Sequence, residues 1–217
     1  MNWKELFDFL TTLQRNNNKE WMDENRKRYK LVRDSFIQWL QDMDLKLSKV
    51  DPNYTHTDAR KALNRINNNL LYPPNKPIYK DNFGAGLDQV SKQGDFYIQI
   101  GVGNSILAGG FYKPGPKLLK SIRDAIDYNG EELKKIINKK SFKDTFEFID
   151  DGDSLVTAPK GFSQDHEHID LLRKKTFAAM HTLTKKDILK PDFDEHVIRV
   201  YKEMLPFRKY LNQATSV

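Results

Sequence analysis

Two groups of residues in this chain have types and spacing that could do chemistry. The first is Arg65, Lys76 and Lys80, with Tyr72 and Tyr79 between them. Every charge in that span is positive, and guanidinium or ammonium groups beside aromatic rings suit phosphate or carboxylate contacts, or stacking on a base. The second group is Lys160, Asp165 and His166, in the run Pro159 to His168. Imidazoles exchange protons near neutrality, so His166 is a candidate general acid or base with Asp165 to orient it. The same histidine also suits a plain capping role for a helix over Ile169–Leu172. His166 and His168 are two apart, which fits a loop or strand, and a third clear metal ligand is missing.

Other motifs point to less. Gly109-Gly110 lies inside an apparent strand, where a glycine pair marks a bulge or the close approach of another group, a ligand included. Asn82–Leu87 has glycines but lacks the Lys-Ser/Thr that a phosphate-binding loop places after them. Asp150-Asp151-Gly152-Asp153 lacks the later glutamate of an EF-hand calcium loop and reads as a turn. Lys113 and Lys117 flank a proline-marked helix start at Pro116. Prolines remove N–H donors there, which weakens any backbone anion site.

These residues need elements to hold them. Phe96, Ile98, Ile100 and Val102 alternate with Tyr97, Gln99 and Gly101, the period-two pattern of a half-buried strand. With a turn at Gly103-Asn104 and a second strand to Tyr112, this predicts a hairpin over 96–112. Leu118, Leu119, Ile122, Ala125 and Ile126 then mark one face of a helix that stops at Asn129-Gly130, with a shorter helix over 131–140. Upstream, Asn2 caps a first helix. Asn18 caps a second of about thirty residues, ending at Asp51-Pro52. Strands are expected near 155–158 and 176–183, and a final helix over 192–213 disturbed at Pro206. The span from Arg65 to Lys80 holds three prolines and four asparagines, so it reads as a long ordered loop rather than a helix.

Composition bounds the rest. The 217 residues include 13 Phe, 9 Tyr and 3 Trp, ample for one core. No cysteine is present, which excludes disulfides, thiolate ligands and a cysteine nucleophile. No apolar run approaches the roughly 20 residues of a membrane span. MNWKELFDFL reads as an amphipathic helix with acidic residues rather than an export signal, so the cytoplasm is the expected compartment. The formal net charge is +6, which admits acidic partners. The many lysines and asparagines together argue against reading that charge as a nucleic-acid signature.

Several segments together resemble a known family. LFDFLTTLQRNNNKEWMDENRKRY, ALNRI, NKPIYKDNFGAG, GDFYIQIGVGNSILAGGFYKP and TAPKGFSQDHEHIDLLRKKTF are similar to the family catalogued as domain of unknown function 2461. The similarity runs from Leu6 to about Leu211. The resemblance implies a single-domain protein of a bacterial and fungal family and carries over no activity. The family's central motif matches at Arg65, Ile66, Asn67, Lys76, Tyr79 and Lys80. It departs at Asn68, Asn69 and Leu71, where the pattern has Arg, Asp and Arg, and its proline is one place earlier, at Pro77.

The resulting expectation is one α+β domain over 1–217, with an antiparallel sheet built on the 96–112 hairpin and covered by N- and C-terminal helices. Its expected function is a pocket for an anionic small molecule bearing phosphate or carboxylate. Arg65, Lys76, Tyr79, Lys80 and Lys160 would bind, and His166 with Asp165 would serve a hydrolytic or group-transfer step. The competing classes are a nucleic-acid-binding module, for which the chain has no helix-turn-helix, RRM or zinc pattern, and a non-catalytic partner-binding protein. No cofactor is named by the sequence.

Overall fold

The structure, a computed structural model, describes residues 1–71, 75–90, 94–150 and 152–215. Tyr72, Pro73, Pro74 and Asp151, singled out above, lie outside the described residues. The elements run α1 Trp3–Arg15, α2 Lys19–Glu24, α3 Arg26–Ser48, α4 Ala59–Ala62, β1 Asn82–Leu87, β2 Phe96–Gly101 and β3 Ser105–Phe111. They continue with α5 Pro116–Asn138, α6 Lys140–Thr145, β4 Glu147–Phe148, α7 Ile169–Leu172, β5 Phe177–Leu183, α8 Lys185–Ile188 and α9 Phe193–Ala214. The strands form one five-stranded antiparallel sheet in the order β1-β2-β3-β5-β4. The protein is α+β, with helices at both termini.

The chain divides by its contacts into two units. The first comprises Met1–Asp88, Tyr97–Leu107 and Thr182–Ile198; the second comprises Gln89–Phe96, Ala108–His181 and Arg199–Val217.

In the first unit, the Asn2 side chain accepts the Glu5 N–H and starts α1. Asn18 does the same for α2 through Trp21 N–H. The long helix expected after Asn18 is broken at Asn25 (φ −94°, ψ 13°), whose side-chain amide takes the Trp21 carbonyl at 2.9 Å. The same carbonyl also accepts the Asn25 backbone N–H at 2.9 Å, so the break lies in the Asn25 dihedrals rather than in a lost helical hydrogen bond. Beyond the break, α3 buries Phe36, Trp39, Leu40, Met43 and Leu47. Phe36 stacks on Phe83 of β1, with ring centroids 5.5 Å apart. Trp3, Trp39 and Phe193 pack edge-on and stacked. Asp194 fixes that cluster by accepting Trp39 Nε1–H at 2.8 Å and pairing with Lys46 at 2.5 Å.

In the second unit, the helix stop expected at Asn129-Gly130 is a kink, with Asn129 at φ −149°, ψ 51°, between two helical arms that together run to Asn138. Phe142, Phe146 and Phe148, for which the sequence offers no location, gather around Phe207 of α9. Phe142 and Phe148 lie 5.5 and 5.7 Å from it, and Phe146 stands 4.8 Å from Phe142. β4 pairs with β5 through Glu147↔Met180 and Phe148↔Ala179.

Three local expectations are corrected. No strand forms over 155–158: Leu155 N–H donates to the Arg173 carbonyl, and Val156 is exposed. β1 forms where only a glycine-rich loop was read, because Phe83, Ala85 and Leu87 are buried and the small residues let neighbours approach. Positive φ among the described non-helical turns occurs at Asp88, Gly110, Lys113, Gly152 and Gly161, not at Gly103 or Asn104.

The Gly109-Gly110 pair also finds its reason in packing. Gly110 has φ +104°, and a Cβ there would stand 2.2 Å from the Phe177 carbonyl oxygen. A Cβ on Gly109 would press on Arg208 and Met204 of α9, both at 2.9 Å. The group passing over this bare backbone is Arg208 itself, 3% exposed, donating from Nε and Nη2 to the Gly94 carbonyl. Replacing Gly110 by alanine should therefore cost at least about 1–3 kcal/mol, the range for a residue held in a disfavoured backbone region. Chemical denaturation measures this. Gly115→Ala, whose Cβ would meet open space, should change stability by no more than about 0.5 kcal/mol.

Candidate functional site

The first candidate group is assembled by main-chain pairing within the first unit. Residues 63–68 run antiparallel to 78–85. Leu63 bridges Ala85 and Asn67 bridges Tyr79. Asn64 N–H donates to Gly84, Lys80 N–H to Ile66 and Asn68 N–H to Ile78, at 2.7–2.9 Å. Asn17, from the α1–α2 turn, clamps the same ladder. Its side chain accepts Tyr79 N–H and donates to the Tyr79 carbonyl, each at 2.9 Å, so it mimics a peptide group. The two flanks, 63–68 and 78–85, are thus held by backbone hydrogen bonds that would otherwise be left unmade.

That pairing brings cations together. The Lys80 ammonium donates to the carbonyls of Arg65 and of Asn67, the latter at 2.9 Å. Arg65 and Lys76 are exposed. Burial lowers the Lys80 pKa from its ordinary value, and the charges of Arg65 and Lys76 lower it further. Among the described residues no carboxylate pairs with any of the three. Since the folded value lies below the unfolded 10.5, the stability contributed by Lys80 is complete above 10.5. It is lost as pH falls through the folded value. Tyr79 was expected among the ligand contacts, but its side chain is only 6% exposed. Its main-chain N–H and carbonyl carry the two bonds to Asn17.

The second group lies in the second unit. Lys160 is exposed and lines a cavity of about 210 Å³ with Pro114, Pro116, Leu119, Arg123 and Phe162. Arg123 spends its donors on the carbonyls of Leu172 and Lys174, and burial lowers its pKa. His166 is held at both ring nitrogens. Nδ1 accepts the His168 backbone N–H at 3.0 Å, and Nε2 faces Asp127 Oδ1 at 3.0 Å. The carboxylate against His166 is therefore Asp127 of α5, not Asp165, whose own N–H bonds Ser163 Oγ. Sequence distance hid this pair, because Asp127 is 39 residues away. His168 is 3% exposed, its ring pressed on the bare backbone of Gly130. Among the described residues, its Nδ1 finds no partner.

A further acid–imidazole pair escaped the sequence reading. Asp44 of α3, 6% exposed, accepts Tyr54 Oη–H at 2.6 Å, Thr57 N–H at 2.9 Å and His56 Nδ1 at 2.6 Å. Only an aspartate on the otherwise apolar buried face of α3 could have signalled it. No cluster of three or more metal-ligating side chains occurs among the described residues. No helix among them is long and apolar enough to cross a membrane.

Comparison with known proteins adds one finding. The profile of the family described as conserved hypothetical protein (DUF2461) matches residues 5–210. The chain belongs to the DUF2461 family. No curated protein and no solved structure matches it. Within this DUF2461 chain, the positions that depart from the family motif are occupied by short polar bonds and an apolar side chain. Asn68 Nδ2 donates to the Pro77 carbonyl at 2.8 Å, and Asn69 Oδ1 accepts Leu71 N–H at 3.1 Å. Leu71 is exposed. Arginine at the first and last of these three positions would have added bidentate anion donors to the same segment.

Because a backbone N–H donates to Nδ1 of His166, the neutral ring must carry its proton on Nε2, toward Asp127. Nitrogen-15 NMR of labelled His166 should report a protonated Nε2 and a bare Nδ1. In Asp127→Ala that preference should weaken, with Nδ1 still bonded to His168.

Proposed function

We propose that the segment 65–80 of the first unit binds an anionic small molecule bearing phosphate or carboxylate. The observation that supports this reading is the set Arg65, Lys76 and Lys80. The charges of Arg65 and Lys76 act on the partly buried Lys80, and among the described residues no carboxylate pairs with any of the three. Like charges held close disfavour their own charged forms, and a bound anion reverses that cost. Arg65 offers a planar bidentate donor, and Lys76 a mobile point charge. Lys80, anchored on two carbonyls, keeps one N–H to offer. Asn17 and Tyr79 position the ladder on which Arg65 and Lys80 stand.

Lys160 belongs to the second unit, and the proposal rests on the first unit alone. A proton-transfer step by His166 would require its Nε2 to leave Asp127, so the reading is one of binding and does not need turnover.

A thermal-shift screen against phosphorylated metabolites, nucleotides and dicarboxylates, at two salt concentrations, tests it. A ligand at a hundred times its dissociation constant should add about 2.7 kcal/mol of stability. The Arg65→Ala, Lys76→Ala double variant should lose that gain while melting near the parent temperature without ligand. Stabilisation that survives the double variant would place the ligand elsewhere. Binding whose logarithm falls steeply and linearly with log salt would favour a nucleic acid instead.

A further inference from the structure

The kink in α5 opens a groove within the second unit, of about 580 Å³, inside the range of roughly 300–1,000 Å³ usual for small-molecule sites. Its charged lining is of one sign, beside the neutral polar Ser121, Asn129 and Gln213. Glu132 and Asp124 contribute carboxylates, Tyr128 and Tyr210 contribute rings, and no Lys or Arg lines it among the described residues. Glu132 is exposed and has no ion-pair partner among those residues, whereas Asp124 is paired with Lys120 at 2.6 Å.

The kink itself adds to this. At Asn129 the first arm of α5 ends, and a helix C-terminus carries partial negative charge on its unpaired carbonyls. The Tyr210 hydroxyl lies 3.1 Å from the carbonyl oxygens of both Ala125 and Asn129. It has one proton for two acceptors, so it cannot donate fully to both. Tyr210 is half-buried, and its pKa is pushed up to about 12, by burial first and then by the charge of Glu132. The phenol therefore stays neutral and its ring face electron-rich. Tyr128 is 92% exposed, a large aromatic surface left at the groove with nothing packed on it.

We propose that this groove binds an organic ammonium ion, a small molecule with an alkylated cationic nitrogen. Tyrosine faces attract such cations through the ring quadrupole, most strongly when the cation carries alkyl groups that shed water easily. Glu132 supplies the formal counter-charge, and the helix-end carbonyls supply the remaining negative potential. A bare metal ion would find too few ligands, and an anion would be repelled. The inference stands on different residues from the anion reading and neither requires the other.

The probe is choline, with its neutral isostere 3,3-dimethylbutanol as the matched control, followed by NMR titration of the full chain at low salt. Choline should bind with perturbations confined to residues near Tyr128, Glu132 and Tyr210, and the neutral isostere should bind at least about tenfold more weakly. Glu132→Gln and Tyr128→Ala, both exposed and expected to melt with the parent, should each weaken choline by about threefold or more. Arg65→Ala should leave choline binding unchanged, which separates this site from the anion site. Equal binding of choline and its isostere, no choline binding, or full affinity in both groove variants would overturn the proposal.

Discussion

The antiparallel pairing of residues 63–68 with 78–85 is the constraint on which the account of this protein turns. Main-chain groups that leave water must find partners, and here each segment satisfies the other, with Asn17 supplying the bonds that a further strand would have supplied. Once that ladder forms, Arg65 and Lys80 have no choice but to be neighbours. The Lys80 ammonium then takes the carbonyls of Arg65 and Asn67. The fold thereby commits backbone energy to holding like charges together. Such an arrangement is tolerated because the cluster is partly solvated, with Arg65 and Lys76 exposed.

The second unit follows a different logic of close approach. Arg208 lies over Gly109, and the Phe177 carbonyl over Gly110, so the sheet and α9 meet at distances that exclude a Cβ. On the other arm of the unit, α5 kinks at Asn129, and the Tyr210 hydroxyl lies against the carbonyls of Ala125 and Asn129. One chain with net charge +6 thus carries, in separate units, a positive cluster and a negative, tyrosine-walled groove. Net charge alone predicts neither.

The central hairpin was legible because its alternation of Phe96, Ile98 and Ile100 is a period that no other element satisfies. The terminal helices were legible from their spaced aromatics, and the family from its quoted segments. What escaped had physical reasons. β1 has glycine and alanine where strands favour branched residues, and only tertiary burial makes it a strand. The Asn25 break is a departure of one residue's dihedrals with the neighbouring helical hydrogen bonds kept, and no local pattern marks it. The cation loop was readable as a composition, but the role of Tyr79 as a buried strut depended on a ladder that no local pattern announces. Asp127 and Asp44 were missed because each meets its histidine across the fold rather than along the chain.

The central claim is that Lys80 is held among uncompensated positive charge awaiting an anion. Carbon-13 and nitrogen-15 NMR of the Lys80 side chain, titrated with pH in the absence and presence of inorganic phosphate, addresses it directly. The account predicts that Lys80 titrates below the ordinary lysine value of 10.5, and that phosphate moves it upward. A Lys80 that titrates as a free lysine and ignores phosphate would contradict it.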